Sequence, residues 1–159
     1  MGIAANDLCH YVIRPTLLYL GRHSVAAEAL LLGAAACQSA LGSALGDSHG
    51  HGLYRIGESR HQTLWDCYLA CDPELASRVR GLASQHAFLD APHLELTVNL
   101  RYSTAIAWMM VEAERIPLPH ADDPLGLARV WRRVFQPHGR LHDFVDAWHS
   151  YVGNLSQVA

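Results

Sequence analysis

The sequence predicts an all-α fold, a single domain of about seven helices over residues 1–159. Three observations carry this expectation. Apolar residues recur at spacings of three and four along most of the chain instead of alternating. Capping residues and prolines stand where such stretches begin, and Gly or Pro stands where most of them end. Half of the 159 residues are hydrophobic, enough for one buried core and too few residues for two full domains.

The first helix is expected over 8–20, where Leu, Tyr, Val and Ile hold helical spacings; Pro15 should kink it or start a second short helix, and Gly21 should end it. Ser24 is the N-cap of a helix running to about Leu41, with Ala27, Leu31, Ala34, Gln38 and Leu41 near one face. Between Gly42 and Gly57 the chain turns to Gly, Ser, Asp and His, which reads as a loop with a short extended piece over 53–56. Helix resumes near Ser59 and stops near Cys71. Asp72-Pro73, an N-cap followed by a proline at the first helical position, restarts it and carries it to about His86. Asp90-Ala91-Pro92 opens the longest helix, 93–115, whose stretch from Ala105 to Val111 is apolar around nearly its whole circumference and should be central and buried. Pro117-Leu118-Pro119 ends it. Two amphipathic helices follow, 124–135 after Asp122 or Asp123, and 141–151 after the Pro137-His138-Gly139 turn.

Twelve basic and 15 acidic side chains give a formal charge of −3, without the basic excess that an unassisted nucleic-acid binder carries. All the basic residues are Arg. Eleven His add charge that changes between pH 5 and 8. Cys9, Cys37, Cys67 and Cys71 fit no disulfide framework, and reduced thiols in the core are expected. The start of the chain has no positive n-region, and its most apolar run, 25–37, contains Glu28 and is too short to span a bilayer. A soluble protein made in the cytoplasm, with no membrane or nucleic-acid partner, is therefore expected. His49, His51, His61, Cys67 and Cys71 are the residue types that bind zinc, but their spacing is poor and neither CxxC nor HExxH occurs, so no metal and no cofactor are expected.

Three pieces stand in a telling order: a helix ending Gln38-Ser39, a Gly-rich loop ending Gly52-Leu53-Tyr54-Arg55-Ile56, and Asn99-Leu100-Arg101-Tyr102 opening a buried helix. Together they resemble the lysozyme-like soluble lytic transglycosylase superfamily, and more closely the small phage-encoded proteins of this kind found among virion genes. The resemblance covers roughly 10–152 and implies a compact lysozyme-like fold. In that family the helix ends in Glu-Ser, and the Glu is the general acid that protonates the glycosidic oxygen. Here the matching residue is Gln38, and a carboxamide has no proton to give near neutral pH. The family's loop glutamine falls on Arg55, and the acidic residue after the loop falls on Gly57, with Glu58 one step away. Glu28 lies ten residues upstream of Gln38, about 15 Å along the helix axis, too far to substitute.

The resemblance implies a glycan groove at Gln38, Ser39, Tyr54, Glu58, Asn99 and Tyr102, with no catalytic residue among the degenerate positions Gln38, Arg55 and Gly57. Pyranose rings stack on aromatic faces, so Tyr54, Trp65, Tyr68, Tyr102, Trp108, Trp131 and Trp148 could contribute, although Trp65, Trp108 and Trp131 read better as core. Arg129, Arg132 and Arg133, at i, i+3 and i+4, form a candidate interface. The expected function is that of a phage virion structural protein, a tail, neck or head-associated component located in the virion. It would act through contacts with other virion proteins or with its own copies. The alternatives are a virion-associated peptidoglycan lytic transglycosylase or muramidase, a non-catalytic glycan binder, or a small phage inhibitor of a host protein.

Overall fold

The computed structural model describes residues 1–47 and 49–152. Helix accounts for 65% of the chain and strand for 3%, which makes the protein all-α. The chain enters through α1 (Ala5–Leu8), passes a π-helical stretch (Cys9–Ile13) and continues as α2 (Arg14–Leu20). Pro15 sits in the first turn of α2, where its missing N–H costs least. Gly21, at φ 70°, provides the left-handed stop. Ser24 Oγ then accepts from Ala27 N at 3.0 Å and starts α3 (Val25–Ser39), which ends two residues earlier than the pattern predicts because Ala40 and Leu41 turn left-handed. Helix α3 is buried on nearly all sides. A Cβ on Gly33 would lie 2.4 Å from the Phe144 ring, so the last helix lies directly on α3.

The Gly-rich segment is a small hairpin. Strands β1 (Gly46–Asp47) and β2 (Gly50–His51) pair antiparallel, Gly46 with His51 and Asp47 with Gly50, and His51 bridges to Ile56. The extended piece expected over 53–56 is instead a turn: Leu53 and Tyr54 drop into the core and Arg55 takes φ 49°. The helix expected over 59–71 forms as α4 (Glu58–Thr63), a π-helical stretch (Leu64–Tyr68) and a 3-10 turn (Leu69–Cys71). Asp72 accepts from Leu75 N at 3.1 Å and caps α5 (Pro73–Gly81).

Two further boundaries differ from the sequence expectation, with one cause. Helix α5 stops at Gly81 rather than near His86, and the helix expected over 93–115 is two helices, α7 (Glu95–Val98) and α8 (Leu100–Ala113), preceded by the short α6 (Ala87–Asp90). Asn99, at φ −118° and ψ 98°, breaks the long helix and caps α8, its Oδ1 accepting from Tyr102 N at 3.0 Å. Its amide donates to Leu82 O at 2.8 Å, while the buried Glu95 accepts from Ser84 N at 3.2 Å. These bonds hold 82–84 out of helical geometry.

Helix α8 is buried from Tyr102 to Val111 and touches α2, α3, α5 and α9 (Pro124–Val134), while α10 (Leu141–Tyr151) packs on α3 and α9. The stretch expected to be central is in place as α8, which packs on the equally buried α3. Asp123 caps α9 through Gly126 N at 2.9 Å. Among the described residues no helix is long and apolar enough to cross a membrane.

Candidate functional site

The junction of α3 with the hairpin gathers several of the residues singled out from sequence, as a brace. Gln38 Nε2 donates to Tyr54 O at 3.3 Å. Ser39 Oγ lies 2.7 Å from Leu53 O and 3.1 Å from Ala35 O, and accepts from Gly42 N at 3.0 Å. Thr104 Oγ1 gives its proton to Leu100 O at 2.8 Å, so the Tyr54 hydroxyl, 3.0 Å away, must be the donor of the pair. Burial pushes the Tyr54 phenol well above its ordinary pKa. The expected groove is corrected accordingly. Ser39, Tyr54 and Tyr102 are buried and present no face to a sugar. Asn99 is committed to Leu82, Glu95 and the cap of α8. Glu58 is exposed and pairs with His51 at 3.0 Å.

Gln38 itself is half-buried and lines an open cleft of about 350 Å³ with Cys37, Trp131, Gln136, His138, Gly139 and Asp143. Among the described residues Asp143 is the one carboxylate lining it, and it engages Arg140 at 3.6 Å and His142 at 3.5 Å. Arg55 and Gly57 lie on the far limb of the hairpin turn, Gly57 extended at φ −73° and leading into α4. Glu28, set aside from sequence as too distant, is buried and saturated. It accepts from Arg14 Nε at 2.8 Å and from the Cys9 thiol at 3.0 Å, and contacts His23 Nε2 at 2.8 Å. Burial opposes its charge, yet these donors outweigh burial and hold its pKa below the ordinary value. Burial and the neighbouring carboxylate push the Cys9 thiol up to about 12, so it stays protonated.

A second polar cluster joins elements distant in sequence. His61 on α4 is 1% exposed, and both its ring nitrogens are engaged: Nδ1 lies 2.9 Å from His93 Nδ1 and Nε2 lies 2.7 Å from the Tyr102 hydroxyl. Trp65 Nε1 donates to the same hydroxyl at 2.9 Å. The His51 ring stacks on His93 with centroids 6.3 Å apart. His61, Gln62, Trp65, Phe88, Pro92 and His93 line a cleft of about 300 Å³. Phe88 meets Trp65 and Tyr102 edge-on and lies under the Arg80 guanidinium, 4.2 Å from its centroid. Burial, with the neighbouring His93 and His51, drives the His61 imidazole down to about 4, so it is neutral at pH 7. Sequence reading missed His93, which is 32 residues from its partner and carries no local signal. Among the described residues no group of three or more His, Cys, Asp or Glu is placed to hold a metal ion, and Cys67 and Cys71 are exposed.

Arg129, Arg132 and Arg133 project from the outer face of α9 and are exposed, with Arg133 paired to Glu114 at 3.2 Å. The inner face of that helix buries Leu127, Val130, Trp131 and Val134. Trp108 and Trp131 are core residues, whereas Trp65 and Trp148 are half-buried at its margin. Compared with known proteins, the chain matches no family model, no curated protein and no solved structure.

Proposed function

We propose that this chain is a phage virion structural protein, a tail, neck or head-associated component that works through protein–protein contacts on a lysozyme-like scaffold without its acid. The observation that carries the reading is the state of Gln38. Where the resembled enzymes place a general acid, this chain has an amide that donates to the Tyr54 carbonyl, flanked by a Ser39 equally committed to loop backbone. A residue spent on bracing a hairpin cannot also deliver a proton to a glycosidic oxygen. The virion assignment rests on the motif resemblance, and the exposed arginines of α9 supply a surface suited to carboxylates of a partner.

Two measurements test this together. Purified protein incubated with peptidoglycan should release no soluble muropeptides, and mass spectrometry of purified particles should find the chain at a fixed copy number. Release at a rate typical of a lytic transglycosylase would overturn the non-catalytic reading. Absence from the particles would overturn the virion reading. A non-catalytic glycan binder is the second reading, favoured by the open cleft beside Gln38. Co-sedimentation with insoluble peptidoglycan, lost on Gln38→Ala, would select it.

A further inference from the structure

The pairing of His61 with His93 is the side-chain hydrogen bond that ties α4 to the segment before α8, beside the ring contact of Trp65 with Phe88. Residues 82–98 link α5 to α8 through α6 and α7 and are seated on the core at Leu96. Along that segment the polar anchors are Glu95 to Ser84, Asn99 to Leu82, and His93 to His61. Leu89, Leu94 and Val98 on its outer side are 75%, 48% and 63% exposed, so apolar burial holds the segment on one side only.

The proton inventory of the histidine pair is restrictive. Two Nδ1 atoms 2.9 Å apart form a hydrogen bond only if one carries a proton and the other does not. One added proton fits on either ring: the Nδ1–H of one ring donates to the bare Nδ1 of the other, and His61 Nε2–H meets the Tyr102 oxygen, which also accepts from Trp65. A second proton on the pair has no such arrangement. It sets two N–H groups head to head and places two imidazolium charges in contact inside an apolar site.

The other groups facing the pair do not relieve this. His51 stacks on His93 from the hairpin, and Glu58 on α4 compensates His51 rather than the buried ring. Arg80 of α5 lies over Phe88, and its positive charge adds to the repulsion. Asp66 is engaged by Gln62. Glu95 of α7 is committed to Ser84 and Asn99. Tyr102 of α8 is a neutral phenol.

We propose that His61 and His93 form an acid-sensitive latch that releases residues 86–98 from α4 and α8 when both rings become protonated. Opening uncovers the faces of Trp65, Phe88 and Tyr102 next to the already exposed Leu89, Leu94 and Val98, and converts a narrow cleft into a continuous apolar surface. The proposal stands on the geometry of the pair and does not depend on the virion reading.

Amide hydrogen exchange of the full chain between pH 7 and pH 4, corrected for intrinsic rates, tests it. In the unmodified chain, amides of 86–98 should exchange about tenfold faster or more at pH 4 while α3 and α8 remain protected. His93→Gln keeps an uncharged partner for His61 Nδ1 and should abolish the acceleration. Glu95→Gln, which removes the nearby buried carboxylate, should retain it. Three outcomes would overturn the latch: protection of 86–98 that is indifferent to pH, protection lost in step with α3 and α8, or an acceleration that survives His93→Gln or disappears in Glu95→Gln.

Discussion

At the scale of single residues, the chemistry turns on where protons can reside. Gln38 cannot supply one, and on the proposed reading Gln38→Glu should show little glycosidase activity, because Arg55 and Gly57 also differ from the pattern of the resembled enzymes and the new carboxylate would lie 3.3 Å from the Tyr54 carbonyl in place of the amide. A peptidoglycan turnover assay of the variant checks this, and a rate typical of the resembled enzymes would refute it. His61 makes a prediction about stability. Its folded pKa of about 4 lies below the ordinary 6.5, so the fold favours the neutral ring. Its contribution is complete above 6.5 and is lost as pH falls from there through 4, amounting to about 3 kcal/mol at the acid end. Urea unfolding at pH 7, 5.5 and 4 should show that decline, and His61→Gln should flatten it. An equally steep profile in the variant would locate the titration elsewhere.

Among the elements, two close approaches decide how the hairpin and the helices seat. Gly52 has φ 76°, and a Cβ there would fall 1.7 Å from Leu96 O, so the hairpin lies against the backbone of α7. Gly52→Ala combines left-handed strain with a backbone clash and should cost about 3 kcal/mol or more, measurable by urea denaturation. Gly46→Ala in the same hairpin meets nothing within 4 Å and should be nearly neutral. In α8, Trp108 is 6% exposed within the apolar stretch, and Trp108→Ala should cost roughly 3–5 kcal/mol. A loss below about 1 kcal/mol would mean that α8 is not the central helix.

For the whole molecule, function on the proposed reading lies in the outer face of α9, which contributes no core side chain. Arg129→Glu with Arg133→Glu should abolish self-assembly or partner binding while leaving the circular dichroism spectrum and Tm nearly unchanged. The ion pair given up, Arg133 with Glu114, is exposed and is worth at most about 1 kcal/mol. Normal assembly by the doubly reversed protein at physiological salt would mark the arginines as a solvated face. The distribution of legible and illegible features over the molecule follows from the range of the interactions. Caps at Ser24 and Asp72, a cap at Asp122 or Asp123, the stop at Gly21 and the apolar stretch of α8 were readable from sequence, because each depends on residues within a turn or two of one another. Contacts across the fold decided the rest. Asn99 splits the long helix because its amide reaches back to Leu82, and Tyr54 and Tyr102 became braces because neighbouring elements covered them. His61 met His93 only once α4 and the 86–98 segment were packed side by side. Hydrogen bonds between residues far apart in sequence compete with local helix formation and win where burial removes water as the alternative partner, and no local pattern announces where that will occur.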